Sequence, residues 1–180
     1  AFQGTLSAPE NATTVSPLTS IVSRVQERTS GSSEDVEAQV KRALGLSEDI
    51  DLKTFDPIAT AGDANASAED RQTAVQVQSA TSEVANLSSL AGAASGGATG
   101  QDDTGASNDE AFSAIADAIS GAGENETVDL SNSEKVSNIV RSALERAQQA
   151  SGQTLTDEQV DNVVSNVSEL AGNANQQVRD

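Results

Sequence analysis

The sequence contains no cysteine, histidine, methionine, tryptophan or tyrosine. Without cysteine there is neither a disulfide framework nor a thiolate metal site. Without histidine as well, the common candidates that titrate near neutral pH are gone, and the carboxylate pairs that remain lie in loops and at helix starts, where capping explains them. Phenylalanine occurs only at Phe2, Phe55 and Phe112, so a core has to be built from Ala, Val, Leu and Ile. Each such side chain buries little area, and burial contributes roughly 25 cal/mol per Å²; modest stability is expected. No apolar run approaches the ~20 residues of a membrane span. No segment has the basic start and apolar stretch of a signal peptide. The chain opens on Ala1 rather than methionine, which we read as a processed chain or a segment of a larger protein.

Positive charge is scarce too. Ten Lys and Arg face 28 Asp and Glu, a net charge of −18 over 180 residues. That balance opposes nucleic-acid binding, which needs clustered Lys and Arg on the phosphates. It also opposes an anionic membrane surface. A well-solvated surface and adaptation to salty or calcium-rich water both fit it.

What is present is helical patterning. Residues 1–16 read as an extended connector, because Gly4 and Pro9 interrupt any helix. A single helical domain is expected over 17–177. Ser16-Pro17 sets a first helix start, and Leu18, Ile21, Val22 and Val25 follow in an apolar stripe. Ser32, Ser33, Glu34 and Asp35 open a second helix, which carries Val36, Val40, Ala43 and Leu44 and stops at Gly45. Residues 46–66 read as irregular, with Ile50, Leu52, Phe55 and Ile58 as anchors and Asp56-Pro57 as a breaker. A long helix spans 67–94 with Val77, Ala80, Val84, Leu87 and Ala91 on one face. The Gly-rich segment 95–107 reads as a flexible loop. Shorter helices follow around Phe112, Ile115, Ala116 and Ile119, then over 133–151, where Val136, Ile139, Val140, Ala143, Leu144 and Ala147 are spaced for one face. Thr156 to Gln159 is a capping box for the last helix, expected to fray beyond Gly172. The fold class is therefore all-α: about six amphipathic helices in a compact bundle.

Calcium is the one cofactor for which the sequence offers ligands. Asp63, Asn65, Ser67 and Glu69 alternate through a loop into a helix, as oxygen ligands do at the start of a calcium loop. The sixth position of such a loop would be Ala68 rather than glycine, and the twelfth Ala74 rather than glutamate. Helix capping explains the same residues. A second acidic stretch, Asp102, Asp103, Asp109 and Glu110, has no regular spacing and reads as a solvated linker. Asn-X-Ser/Thr triplets occur at Asn11, Asn65, Asn86, Asn125 and Asn166. Such triplets arise readily in a Ser/Thr-rich chain, and the sequence alone gives them no functional weight.

Four stretches carry a resemblance. GTLSAPENATTVSPLTSIVSRV, ALGLSEDIDLKTFDPIAT, QVQSATSEVANLSSL and TVDLSNSEKVSNIV occur in that order. Together they resemble a helical module that recurs in very large secreted proteins of aquatic bacteria, beside RTX-type and cadherin-like repeats. The resemblance covers roughly residues 3 to 175, and its most specific pieces are 14–19, 44–46, 51–52 and 56–58. The chain departs from the pattern in having Ser, Asn and Gln where Ala is expected. The resemblance implies a secreted or cell-surface location and a structural or adhesive role. It carries no catalytic residue.

The expectation is thus a non-catalytic spacer or adhesion module of a large extracellular bacterial surface protein, not an enzyme. Its partners would be neighbouring domains of the same long chain or like subunits, with no nucleic acid and no membrane insertion. Two alternatives stay open: a self-assembling subunit of an extracellular filament or matrix, and a helical ligand-binding domain.

Overall fold

Short polar side chains set the helix starts. The Ser16 hydroxyl accepts the Thr19 N–H while the Thr19 hydroxyl accepts the Ser16 N–H, and Pro17 takes the first helical position. Ser67 and Asp70 form the same reciprocal pair. Ser32, Asp56 and Asn132 cap three further starts. The computed structural model describes residues 4–101 and 104–179. Seven helices are found among them: α1 (Pro17–Arg28), α2 (Ser33–Ala43), α3 (Pro57–Gly62), α4 (Ala68–Thr99), α5 (Thr104–Gly121), α6 (Ser133–Ser151) and α7 (Asp157–Arg179). No strand occurs among the described residues.

The helix α4 is the spine, and α1, α3, α5, α6 and α7 all pack against it. At a rise of 1.5 Å per residue its 32 residues run about 48 Å. Its expected stripe of Val77, Ala80, Val84, Leu87 and Ala91 is buried. So are Leu18, Ile21, Val22 and Val25 on α1, Phe112, Ile115 and Ile119 on α5, and Val136, Ile139, Val140 and Leu144 on α6. On α7, Val164, Val167 and Ala171 face inward and Val163 is half-buried, whereas Leu170, which the i, i+4, i+7 spacing from Val163 and Val167 puts on the same apolar stripe, is 56% exposed.

Four expectations need correction. Asp56-Pro57 does not end a helix; it starts one, because Asp56 Oδ1 accepts the N–H groups of Ile58 and Ala59 and Pro57 suits the first turn. That makes α3 the helix beyond the expected six. Ile58 is no anchor either, at 74% exposed, whereas Ile50 and Leu52 are buried.

The segment 95–107, read as a loop, is mostly helix. Five more residues of α4 precede the Gly100 cap, and α5 begins at Thr104. Asp102 and Asp103 lie outside the described residues. The cause is tertiary. A Cβ on Gly92 would sit 2.0 Å from Asn108 Oδ1, and one on Gly96 would sit 2.6 Å from Ser107 Oγ. Glycine there lets α4 and α5 approach closely, and the packing outweighs glycine's poor helix propensity. Lastly, α7 does not fray at Gly172. Its final turns are pinned by Asn175 and Arg179, whose partners lie far back in the chain.

Residues 4–16 are non-helical, as expected. They are tied down at Ser7, whose N–H donates to Ser20 Oγ and whose carbonyl accepts from the Ser20 and Thr19 hydroxyls. The Thr5 N–H donates to Asp109 Oδ1 on α5.

Candidate functional site

A polar cluster joins α4, residues 127–131 and the end of α7. Its placement begins with the Val128 N–H, which donates to the Ala43 carbonyl at 2.7 Å and holds this extended stretch on the end of α2. Val128 and Leu130 point inward, so Asp129 between them points out, towards α7. There the Arg179 guanidinium lies between two carboxylates. Its Nε and Nη2 donate to Glu83 Oε1 and Oε2 at 2.6 and 2.9 Å, and its Nη1 is 2.9 Å from Asp129 Oδ1. Glu83 is only 4% exposed. One turn back, Asn175 Nδ2 donates to the Leu130 and Glu83 carbonyls, and its Oδ1 accepts from Asn86.

These bonds displace the titration of two members of the cluster, Asp129 and Arg179. Partial burial pushes the Asp129 carboxyl up, but the Ser131 hydrogen bonds and Arg179 outweigh it and hold it below the usual carboxylate range. The Glu83 hydrogen bond raises Arg179 further, against burial. Hydrogen bonds from Ser67 lower Asp70, and Lys135 lowers Glu126 through a hydrogen bond and its charge. Among the described residues, these three carboxyls are displaced away from neutrality. Beside the cluster lies an open groove of about 400 Å³ lined in part by Leu46, Val75 and Ala80.

Two further polar clusters hold the bundle. The Glu37 carboxylate, 5% exposed, accepts the Leu52 N–H and faces Lys41 and Lys53 at 3.7 and 3.4 Å. Lys41 Nζ donates to the Glu48 and Ile50 carbonyls, which anchors the 46–55 loop. Between α1, α5 and α6, Arg24 pairs with Asp109, Arg28 with Asp117, and Arg146 with Asp117 and Glu110. Arg24 also lies over the Phe112 ring, 5.7 Å from its centroid.

Three of the four sequence-predicted calcium residues are engaged locally. Asp63 Oδ1 accepts the Asn65 N–H and side-chain amide, Ser67 caps α4 with Asp70, and Glu69 stands exposed in the first turn. Arg71 donates to the Asp63 and Ala64 carbonyls, bringing a cation to the same loop. Among the described residues, no group of three or more Asp or Glu is placed to hold a metal ion. Sequence reasoning missed Glu83, Asn175 and Arg179. Glu83 did leave a signal: it is an acid between Ala80 and Val84 on the apolar face of α4. No protein-family model matches the chain, and neither the curated proteins nor the solved structures contain a significant match.

Proposed function

We propose that the chain is a non-catalytic spacer or adhesion module of a large extracellular bacterial surface protein. The observation that carries this reading is the way both flanks of the bundle are fastened. Residues 5 and 7 are bonded to α5 and α1, and the last turn of α7 is bonded to α4 and Asp129. A module in a tethered chain needs such fastening, because load enters through its flanks. The acidic surface and the carboxylates held ionised support the same reading. The filament alternative draws less support, because Ser7 spends its N–H and carbonyl within its own chain rather than offering them to a neighbour. Single-molecule pulling between residue 4 and residue 179 tests the proposal. One cooperative rupture, weakened by Arg179→Ala, is expected; gradual extension at low force would overturn it. Sizing by light scattering separates the alternative, since concentration-dependent polymers would favour the filament.

A further inference from the structure

The five Asn-X-Ser/Thr triplets fall into two structural classes. Asn11, Asn65 and Asn125 each occupy the third position of a β-turn, closed by the Ala12 N–H to the Pro9 carbonyl, Ala66 to Asp63, and Glu126 to Gly123. In all three the asparagine is exposed, and so is the hydroxyl residue two places on: Thr13, Ser67 and Thr127. Asn86 and Asn166 lie inside α4 and α7. Their hydroxyl residues, Ser88 and Ser168, are 0% and 2% exposed, and each hydroxyl is turned back onto its own helix. Asn86 Nδ2 is moreover bonded to Asn175.

We propose that Asn11, Asn65 and Asn125 are acceptor sites for an N-linked glycan. The triplet is the acceptor signature for that modification, which belongs on surface loops. A transferring enzyme has to reach the amide nitrogen and the hydroxyl together, and in the three turns both residues lie on the surface; the bonds they make there, Asn65 and Ser67 to Asp63 and Asp70 and Thr13 to the Lys53 carbonyl, are solvent-exposed and have to open on binding. Turn chemistry alone does not explain the asparagines. Asparagine tolerates a left-handed backbone, yet among the described non-glycine residues only Asn11 has one, with φ of +67°. Positions 65 and 125 make no such demand. The donor would be a saccharide carried on a lipid diphosphate. The asparagine nitrogen forms a bond to the anomeric carbon and loses one proton, and the bond from that carbon to the diphosphate oxygen breaks. The lipid diphosphate leaves with the electron pair.

Peptide-level mass spectrometry of the chain recovered from its own cells tests this. The expected result is a saccharide mass increment on one or more of Asn11, Asn65 and Asn125, and none on Asn86 or Asn166. Each increment should vanish in the matching Asn→Gln variant, and the one on Asn125 also in Thr127→Val, which leaves the asparagine in place. Three bare turn asparagines, or a glycan on either helical one, would overturn the proposal.

Discussion

Arg179, in the last turn of α7, grips Glu83 in the middle of α4 with two parallel hydrogen bonds of 2.6 and 2.9 Å. The two residues are 96 positions apart in sequence. Glu83 is buried, so the guanidinium is what makes its charge tolerable there. Arg179→Gln should therefore destabilise the bundle by about 1–3 kcal/mol, the cost of a buried group left poorly paired. Adding Glu83→Gln should recover part of that loss. Urea unfolding of the two single variants and the double variant measures the coupling; purely additive losses would mean the pair is idle.

The crossing of α4 and α5 makes a second expectation. A Cβ on Gly92 would meet the Asn108 backbone at 2.8 Å as well as its side chain, so the helices would have to part. Gly92→Ala should cost about 1–3 kcal/mol as overpacking. A Cβ on Gly97, in the same helix, would meet nothing within 4 Å. Gly97→Ala should instead stabilise by roughly 0.5–1 kcal/mol through helix propensity. Thermal melts of the two variants should move in opposite directions.

Acid should weaken one bond in particular. The Asp129 carboxyl is held below its usual range in the folded chain. Its contribution is thus present above the unfolded value of about 3.9 and lost as pH falls through the lower folded value. Asp129→Asn should be less stable than the parent at pH 7, by less than about 1 kcal/mol given the exposure of the pair. The gap should close as pH drops below about 4. Urea midpoints taken across that range decide it; a constant gap would remove the charge from the explanation.

Much of the fold is legible in the chain itself. The stripes on α1, α4 and α6 use Val, Leu and Ile at helical spacing, and that spacing leaves one solution. Gly96 misleads for the opposite reason. With Gly97 and Gly100 beside it, local propensity marks it as a breaker, and only the partner helix, beginning at Thr104, reveals why it is small. Asn175 and Arg179 look like a fraying polar tail because their partners lie about 90 residues earlier. The Asp63 and Ser67 signals are real but local, one serving a turn and the other a cap.

Salt should act in the other direction from acid. Folding concentrates a net charge of −18, and the like charges repel more in the compact state. Raising sodium chloride from ~0.01 M to ~0.15 M shortens the Debye length from about 30 to about 8 Å. The melting temperature should rise over that span. Calcium should add no more than magnesium at equal ionic strength, and Asp63→Ala should leave both responses unchanged. A melting temperature indifferent to salt would refute the first part; a calcium-only increase lost in Asp63→Ala would refute the second.

The long reach from Glu83 to Arg179 also bears on synthesis. A chain emerging from the ribosome presents α4 well before α7 exists. Until residue 179 is free of the exit tunnel, Glu83 has no guanidinium to meet, and the Leu130 carbonyl waits for Asn175. Burial of the α4 carboxylate is correspondingly unfavourable in every shorter nascent chain. The favourable burial of the α4 carboxylate therefore depends on residues that are the last of the described chain to be made.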